Sequence, residues 1–134
     1  MNSSMKNVFL SKPPYLKVKI PEGKEKQAEK DGLKYDEVEG RWIITDNEPK
    51  RFYLAVPFDV KDSLKGSIRW DSEKMLWYTY RYHKDIIDKY DLVYLKVPYE
   101  NKDEAKQLGG IWHSERKQWY TPICNTELIN KYKI

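Results

Sequence analysis

Apolar and polar residues alternate in three short segments of the chain, and each segment ends at a proline. The segments read V-K-I-P at 18–21, L-A-V-P at 54–57 and L-K-V-P at 95–98. A period of two predicts half-buried strands, and proline ends each strand because it has no N–H for the ladder. A polar, helix-prone stretch follows each proline. Gly32 and Gly109 stand where the first and third of these helices should stop.

A pair of aromatic residues, seven positions apart, follows each predicted helix. The pairs are Tyr35 and Trp42, Trp70 and Trp77, and Trp112 and Trp119. Asp or Ser lies between the two aromatics of each pair, which favours a tight turn and predicts a β-hairpin. The spacing alone does not fix whether the two aromatic side chains of a pair share a face, because that depends on the register of the hairpin.

The stretches 79–90 and 121–132 share a further pattern. Ile86, Ile87 and Tyr90 recur forty-two residues later as apolar or aromatic residues, and their spacing predicts a short amphipathic helix. The first copy lacks this stretch. The sequence therefore predicts an α+β protein of three tandem β-α-β-β units, the second and third followed by an extra short helix. We expect an N-terminal segment at residues 1–14 and units at 15–50, 51–91 and 92–134.

Composition narrows the class of protein. The 134 residues include one cysteine, Cys124, so no internal disulfide framework is expected and the thiol is predicted to be buried. No apolar run has the length of a membrane span, which predicts a cytoplasmic protein without a membrane partner. The 25 basic residues exceed the 21 acidic ones by a net charge of +4, which leans toward anionic partners.

The third unit carries a motif that resembles a known family. The fitting positions are Val97, Pro98, Tyr99, Lys102, Asp103, Ala105, Lys106, Leu108, Gly109, Trp112, Lys117, Trp119, Tyr120 and Pro122. They resemble the small uncharacterised domain appended to plasmid-type, TraC-like DNA primases and antirestriction proteins, although His113 stands where that family has Asp. More loosely, residues 68–90 resemble HARP-type modules, which flank annealing helicases. The resemblance implies an accessory module that acts with nucleic acid, often in phages or plasmids.

Two kinds of side chain are candidates for ligand contacts. Trp70 and Trp112 lie near the turns, where exposure and packing are equally expected, whereas Trp42, Trp77 and Trp119 are expected in the core. An exposed tryptophan offers a stacking surface for a base. Basic and aromatic residues near them complete the candidate set, which is Lys61, Arg69, Trp70, Lys74, Tyr80, Arg81, Tyr82, His83, Lys102, Lys106, Trp112, Arg116 and Lys117. Acidic residues interleave with the lysines, so an ordinary solvated face remains the alternative.

The sequence gives little support to catalysis. His83 and His113 are the only histidines, and neither has a Cys or carboxylate at a metal-ligand spacing. We therefore predict a non-enzymatic protein without a cofactor or metal. Its expected ligand is nucleic acid, single-stranded or forked, or a nucleotide. The alternatives are a mobile-element inhibitor of host defence, which docks on a host protein or sequesters a nucleotide signal, and an interaction scaffold. The oligomeric state stays open.

Overall fold

A computed structural model describes residues 13–134, and it combines short helices with antiparallel sheets. The α-helices are α1 (Glu25–Lys30), α2 (Lys84–Tyr90), α3 (Lys102–Gln107) and α4 (Thr126–Tyr132). The strands are β1 (Leu33–Asp36), β2 (Arg41–Ile44), β3 (Phe52–Leu54), β4 (Arg69–Asp71), β5 (Leu76–Thr79), β6 (Leu92–Leu95), β7 (Ile111–His113) and β8 (Gln118–Pro122). The predicted α+β class is confirmed. Residues 1–12 of the predicted N-terminal segment lie outside the described residues.

Two of the three sheets have the same plan. The strand order is β3-β5-β4 in one and β6-β8-β7 in the other, so the second strand of each hairpin lies in the middle. The remaining sheet contains only β1 and β2. All neighbouring strands are antiparallel. This arrangement is compatible with the predicted units, and unit 1, unit 2 and unit 3 denote residues 15–50, 51–91 and 92–134 below.

The first strand predicted in unit 1 is not formed. The Leu16 N–H donates to the Trp42 carbonyl at 2.8 Å, but the Lys19 N–H donates to the Gly66 carbonyl of unit 2, also at 2.8 Å. The chain therefore leaves the unit 1 hairpin after Leu16 and turns to unit 2, so V-K-I-P at 18–21 has no ladder partner within residues 13–134. Val18 nevertheless stays in the core, at 2% exposure.

Helices occupy most of the predicted positions. Helices α1 and α3 each bury one alanine, Ala28 and Ala105, completely. At the corresponding position unit 2 has a 3-10 helix, Lys61–Leu64, in a segment between proline and tryptophan that is one residue shorter. In unit 3 a 3-10 turn at Tyr99–Asn101 leads into α3. The extra helices predicted after the second and third hairpins are confirmed as α2 and α4. In the described range, no helix is long and apolar enough to cross a membrane.

One face of each three-stranded sheet packs against the preceding unit. Tyr78 on β5 lies in an apolar cluster with Leu16 of unit 1. Tyr120 holds the same position on β8 of unit 3, and it clusters with Ala55 and Leu76 of unit 2. Neighbouring residues of a strand point to opposite faces. The tryptophans beside these tyrosines therefore belong to the other face of each sheet.

That other face packs on the helices of its own unit. Trp77 is half-buried against the cluster that includes Leu54 on β3 and Ile86 on α2. Trp119 is half-buried against the cluster that includes Leu95 on β6 and Leu128 on α4. The prediction that these tryptophans contribute to the core is confirmed. Each one also leaves part of its ring at the surface, where the candidate site begins.

Candidate functional site

Each aromatic pair sits on one face of its hairpin. The two members are direct cross-strand partners in all three units. The ring centroids are 5.4 Å apart in Tyr35–Trp42, 5.3 Å in Trp70–Trp77 and 5.5 Å in Trp112–Trp119. The rings meet edge to face at angles of 63°, 70° and 62°, the geometry that aromatic quadrupoles prefer. The hairpin register thus answers the question that the spacing left open.

A left-handed residue in each turn sets this register. It lies two positions before the second aromatic, and it is Gly40 with φ 67°, Met75 with φ 57° and Lys117 with φ 53°. A residue in this conformation closes a hairpin loop so that the flanking strands stay paired. Glycine adopts it at no steric cost, whereas Met75 and Lys117 are held there by the strands on either side.

The residue that opens each turn caps it. The Asp36 carboxylate accepts the N–H groups two and three residues further on, at 3.0 and 3.2 Å. Asp71 does the same at 3.0 and 3.1 Å. In unit 3, the His113 Nδ1 accepts the Arg116 N–H at 3.2 Å, and its Nε2–H donates to the Lys74 carbonyl of unit 2 at 2.9 Å. His113 therefore caps the unit 3 turn as Asp36 and Asp71 cap theirs, and it adds a contact between units.

Asp71 also anchors a polar network at the edge of unit 2. Its carboxylate accepts a hydrogen bond from the Tyr53 hydroxyl at 2.6 Å and one from Arg51 at 2.8 Å. The Tyr53 hydrogen bond is the main cause that lowers the Asp71 pKa. Arg51 pairs with Glu48 as well and lowers the pKa of that carboxyl. The Tyr80 hydroxyl donates to Glu48 at 2.8 Å. Tyr80 is 2% exposed, so it is no stacking surface, and burial raises its pKa.

The basic-aromatic stretch that follows β5 joins unit 2 to unit 1. Tyr82 is 2% exposed and His83 is 6% exposed. The Tyr82 hydroxyl donates to Asp31, which also pairs with Arg81 at 2.9 Å. The His83 Nε2–H donates to the Lys19 carbonyl at 2.7 Å. Tyr80, Tyr82 and His83 are therefore removed from the ligand-binding set, because their rings are covered by the preceding unit, and Arg81 is engaged in an ion pair.

A cleft opens beside the aromatic pair of unit 3. It measures about 500 Å³ and includes both tryptophans of that pair. For Trp112 the sequence left exposure and packing equally expected, and the structure places it at the surface with 49% exposure. Lys102 and Lys117, both candidates from the sequence, also line this cleft, together with Leu95, Lys96, Val97, Tyr99, Gln118 and Ile134. The cleft thus combines an aromatic and aliphatic floor with cationic side chains.

Comparable clefts lie beside the other two pairs. The unit 2 cleft, about 600 Å³, contains Trp70 and Trp77, and Trp70 is 40% exposed. Two of its further lining residues, Lys61 and Arg69, were candidates from the sequence. The unit 1 cleft, about 560 Å³, contains the pair of that unit and is also lined by Leu16, Lys17, Val18, Lys19, Ile20, Gly40, Arg41 and Arg69.

Three exposed aromatics were missed as candidates, and Tyr35 of the unit 1 pair, 46% exposed, is the first of them. Phe58 and Tyr99 each follow the proline of their unit directly, and they are 83% and 78% exposed. The Lys61 ammonium lies 4.5 Å from the centroid of the Phe58 ring. The Lys102 ammonium lies 4.1 Å from that of Tyr99 and donates to its hydroxyl at 2.8 Å. The signal was an aromatic residue at the same position in two copies, where a polar helix was expected.

The remaining candidates lie outside these clefts. Lys74 and Lys106 are exposed, but neither lines the cleft of its unit. Arg116 stacks on the Tyr94 ring, 4.1 Å from the ring centroid, and so lies away from the unit 3 cleft. Cys124 is exposed, which corrects the expectation of a buried thiol. Within residues 13–134, no group of three or more His, Cys, Asp or Glu residues is arranged to hold a metal ion.

Comparison with known proteins finds similarity in unit 3. A family model described as a domain of unknown function (DUF5710) matches residues 93–128, from β6 into the first turn of α4. The match includes the Trp112–Trp119 pair and Lys102 and Lys117 of the unit 3 cleft. No curated protein and no solved structure gives a significant match. This part of the chain is thus similar to a family that carries no assigned activity.

Proposed function

We propose that this protein binds single-stranded nucleic acid through its aromatic clefts and catalyses no reaction. One observation carries the proposal. In all three units, an edge-to-face aromatic pair lines a cleft whose charged lining residues are almost all cationic. A flat, apolar surface beside positive charge is complementary to a base and its phosphate.

The aromatic half of the site favours unpaired bases. Trp70 and Trp112 expose ring surface, and Tyr99 adds a third aromatic to the unit 3 cleft. Stacking of a base on such a ring contributes about 1–3 kcal/mol and tolerates any base. A base inside a duplex offers no such face, so a single strand fits better than a double one. The clefts, at about 500–600 Å³, are large enough for a nucleotide-sized group.

The charged half of the site favours phosphate. Nine cationic residues line the three clefts, against a single acidic one, Asp62. The nine are Lys17, Lys19, Arg41, Lys61, Lys65, Arg69, Lys96, Lys102 and Lys117. The whole chain has nearly balanced charge, 25 basic to 21 acidic residues, so the fold concentrates positive charge beside the aromatic pairs. Such a concentration attracts a polyanion and makes its binding salt-dependent.

Fluorescence polarisation tests this proposal. Labelled oligothymidylate, oligouridylate and a duplex of equal length are titrated at low and moderate salt, and unlabelled mononucleotides compete in a parallel arm. We expect the single strands to bind more tightly than the duplex, and moderate salt to weaken them. Trp112→Ala should weaken binding about fivefold or more, because it removes a stacking surface. Competition by a mononucleotide would place the ligand among nucleotides rather than strands.

A matched pair of lysines on α3 provides the control. Lys102 lines the unit 3 cleft, whereas Lys106, one turn further along the same helix, is exposed outside it. Lys102→Ala and Lys106→Ala remove the same charge, so a site at the cleft requires the first to weaken binding more. Wild-type protein that binds none of these ligands at low salt would refute the proposal. Docking on a host protein and an interaction scaffold would then remain as the alternatives.

A further inference from the structure

The clefts of unit 1 and unit 2 run into one another. Lys17 and Arg69 line both of them. Lys17 belongs to unit 1 and Arg69 begins β4 of unit 2, so each unit supplies a cation to the cleft of the other. No lining residue of the unit 3 cleft lines either of these. The three aromatic clefts therefore form one basic groove, shared by units 1 and 2, and one separate cleft in unit 3.

A backbone contact holds the two parts of the groove together. The Lys19 N–H donates to the Gly66 carbonyl at 2.8 Å. Gly66 has φ +88°, and a Cβ at this position would lie 3.1 Å from the Lys19 Cε, so the lysine stem crosses the glycine closely. Val18 is buried between two exposed lysines, Lys17 and Lys19. This contact between units 1 and 2, called the joint below, thus directs both lysines to the surface at the point where the clefts meet.

The joint between unit 2 and unit 3 lacks these cations. Tyr53 corresponds to Lys17, four residues before the proline of its unit, and Ile111 corresponds to Arg69, directly before the first tryptophan. The Tyr53 hydroxyl is occupied by its hydrogen bond to Asp71. Ile111 packs against the apolar cluster between the two units. The joint between units 2 and 3 is therefore packed with Tyr53 and Ile111 and has no cation at either position.

We propose that units 1 and 2 hold one continuous stretch of single-stranded nucleic acid, and that unit 3 binds separately. The inference rests on the proposed function and adds the path of the strand. Bases stack at the aromatic pair of each unit, and Lys17 and Arg69 contact the phosphates that pass between the pairs. Neither cation forms an ion pair within residues 13–134. Their charges are therefore available to the strand.

A length series tests the path. Oligothymidylates and oligouridylates of two to twelve nucleotides are titrated against wild-type protein and Arg69→Ile. This substitution gives unit 2 the isoleucine that unit 3 has at the corresponding position, Ile111. Wild-type affinity should rise with length until the strand spans both clefts. Arg69→Ile should weaken the longest oligomers about tenfold and the shortest less than about threefold, since only a spanning strand crosses the joint. The slope of log affinity against log salt should flatten by about 0.7, the loss of one phosphate contact.

Controls separate this inference from a general effect of charge or folding. Lys26→Ala removes one exposed cation from α1, outside both clefts, and should leave the length dependence and the salt slope unchanged. If Arg69→Ile melts at a lower temperature than wild-type protein, Lys17→Gln repeats the test, because it removes the unit 1 cation that lines both clefts.

The outcomes are distinct. If wild-type protein binds but affinity does not grow with length, or if Arg69→Ile weakens short and long strands equally, the continuous groove is refuted and the proposed function stands. If wild-type protein binds no strand of any length, both proposals fail.

Discussion

Replacement of Asp71 by alanine should destabilise the protein strongly, because four donors meet at this carboxylate. It is 7% exposed. It accepts hydrogen bonds from Tyr53 at 2.6 Å, from Arg51 at 2.8 Å, and from two turn N–H groups at 3.0 and 3.1 Å. Asp71→Ala removes the acceptor and leaves all four donors in place, so the cost includes the desolvation of groups that lose their partner.

The size of this loss of stability depends on whether each donor finds another hydrogen-bond partner. A hydrogen bond to a charged group contributes about 1.5–3 kcal/mol, and a removed partner in a buried pair costs about 3–5 kcal/mol. Arg51 keeps its pairing with Glu48, and Tyr53 is half-buried and reaches water. The loss is therefore smaller than the sum of the bonds, and we expect about 3 kcal/mol. This corresponds to a drop in melting temperature of roughly 10 °C for a chain of this size.

Asp36 provides the matched control, since it caps the equivalent turn in unit 1. It accepts two turn N–H groups at 3.0 and 3.2 Å and the Tyr15 hydroxyl at 3.1 Å, without an arginine partner. Asp36→Ala should cost about 1 kcal/mol. Urea unfolding, followed by tryptophan fluorescence and circular dichroism, measures both variants. An unchanged m-value shows that only stability has changed.

The difference between the stability losses of the two variants tests whether the contacts with Arg51 and Tyr53 stabilise unit 2. A loss below about 1 kcal/mol for Asp71→Ala, or equal losses for the two variants, would show that the contact with Arg51 and Tyr53 does not stabilise unit 2. Turn capping alone would then account for the geometry that the hairpins share, and the network would add no measurable stability.

Three further predictions use the same unfolding assay. Gly110→Ala should cost about 1–3 kcal/mol, because the new Cβ would lie 2.8 Å from the Ala105 carbonyl oxygen; a loss below 0.5 kcal/mol, on the order of the usual surface effect, contradicts this. Gly40→Ala should cost about 1 kcal/mol, because φ is +67° and only backbone strain acts; an unchanged urea midpoint would count against this. Hydrogen bonds from a tyrosine hydroxyl and an arginine guanidinium lower the pKa values of Asp71 and Glu48 from their ordinary 3.8 and 4.5. The stabilisation that these two carboxylates provide is therefore complete above their ordinary pKa values, and it is lost as the pH falls through their lower pKa values in the folded protein. The free energy of unfolding should decline below about pH 4.5. The decline should be less steep in Asp71→Ala.

Local features of the fold could be predicted from the sequence. Asp36 and Asp71 cap turns, as expected, because this effect acts within a few residues. The prediction that proline ends the strands was wrong, since β3 and β6 end at Leu54 and Leu95, three residues before the prolines of their units. Helices α2 and α4 follow from the spacing of three apolar residues. The loss of the strand predicted at 18–21 could not be foreseen, since Lys19 bonds to Gly66, nearly fifty residues away.

The candidate site depended on features that the sequence does not reveal. Met75 and Lys117 adopt a left-handed conformation that neither residue type favours, and this conformation sets the register of the aromatic pairs. Tyr80 and Tyr82 follow β5 in a stretch that appears in the sequence to be a two-sided strand, yet unit 1 covers it. The interleaving of acidic and basic residues along the chain also concealed that the clefts collect cations.

Tryptophan indole signals test the central claim most directly, because every tryptophan of the chain belongs to an aromatic pair. In ¹⁵N-labelled protein, titration with an oligothymidylate that spans the groove should shift the indole N–H signals of Trp70 and Trp112 most, since these rings are 40% and 49% exposed. The signals of Trp42 and Trp77 should follow that of Trp70 with one dissociation constant, and the signal of Trp119 should follow that of Trp112 with the dissociation constant of the separate unit 3 cleft. Binding that leaves all five indole signals in place, while backbone signals shift elsewhere, would contradict the account.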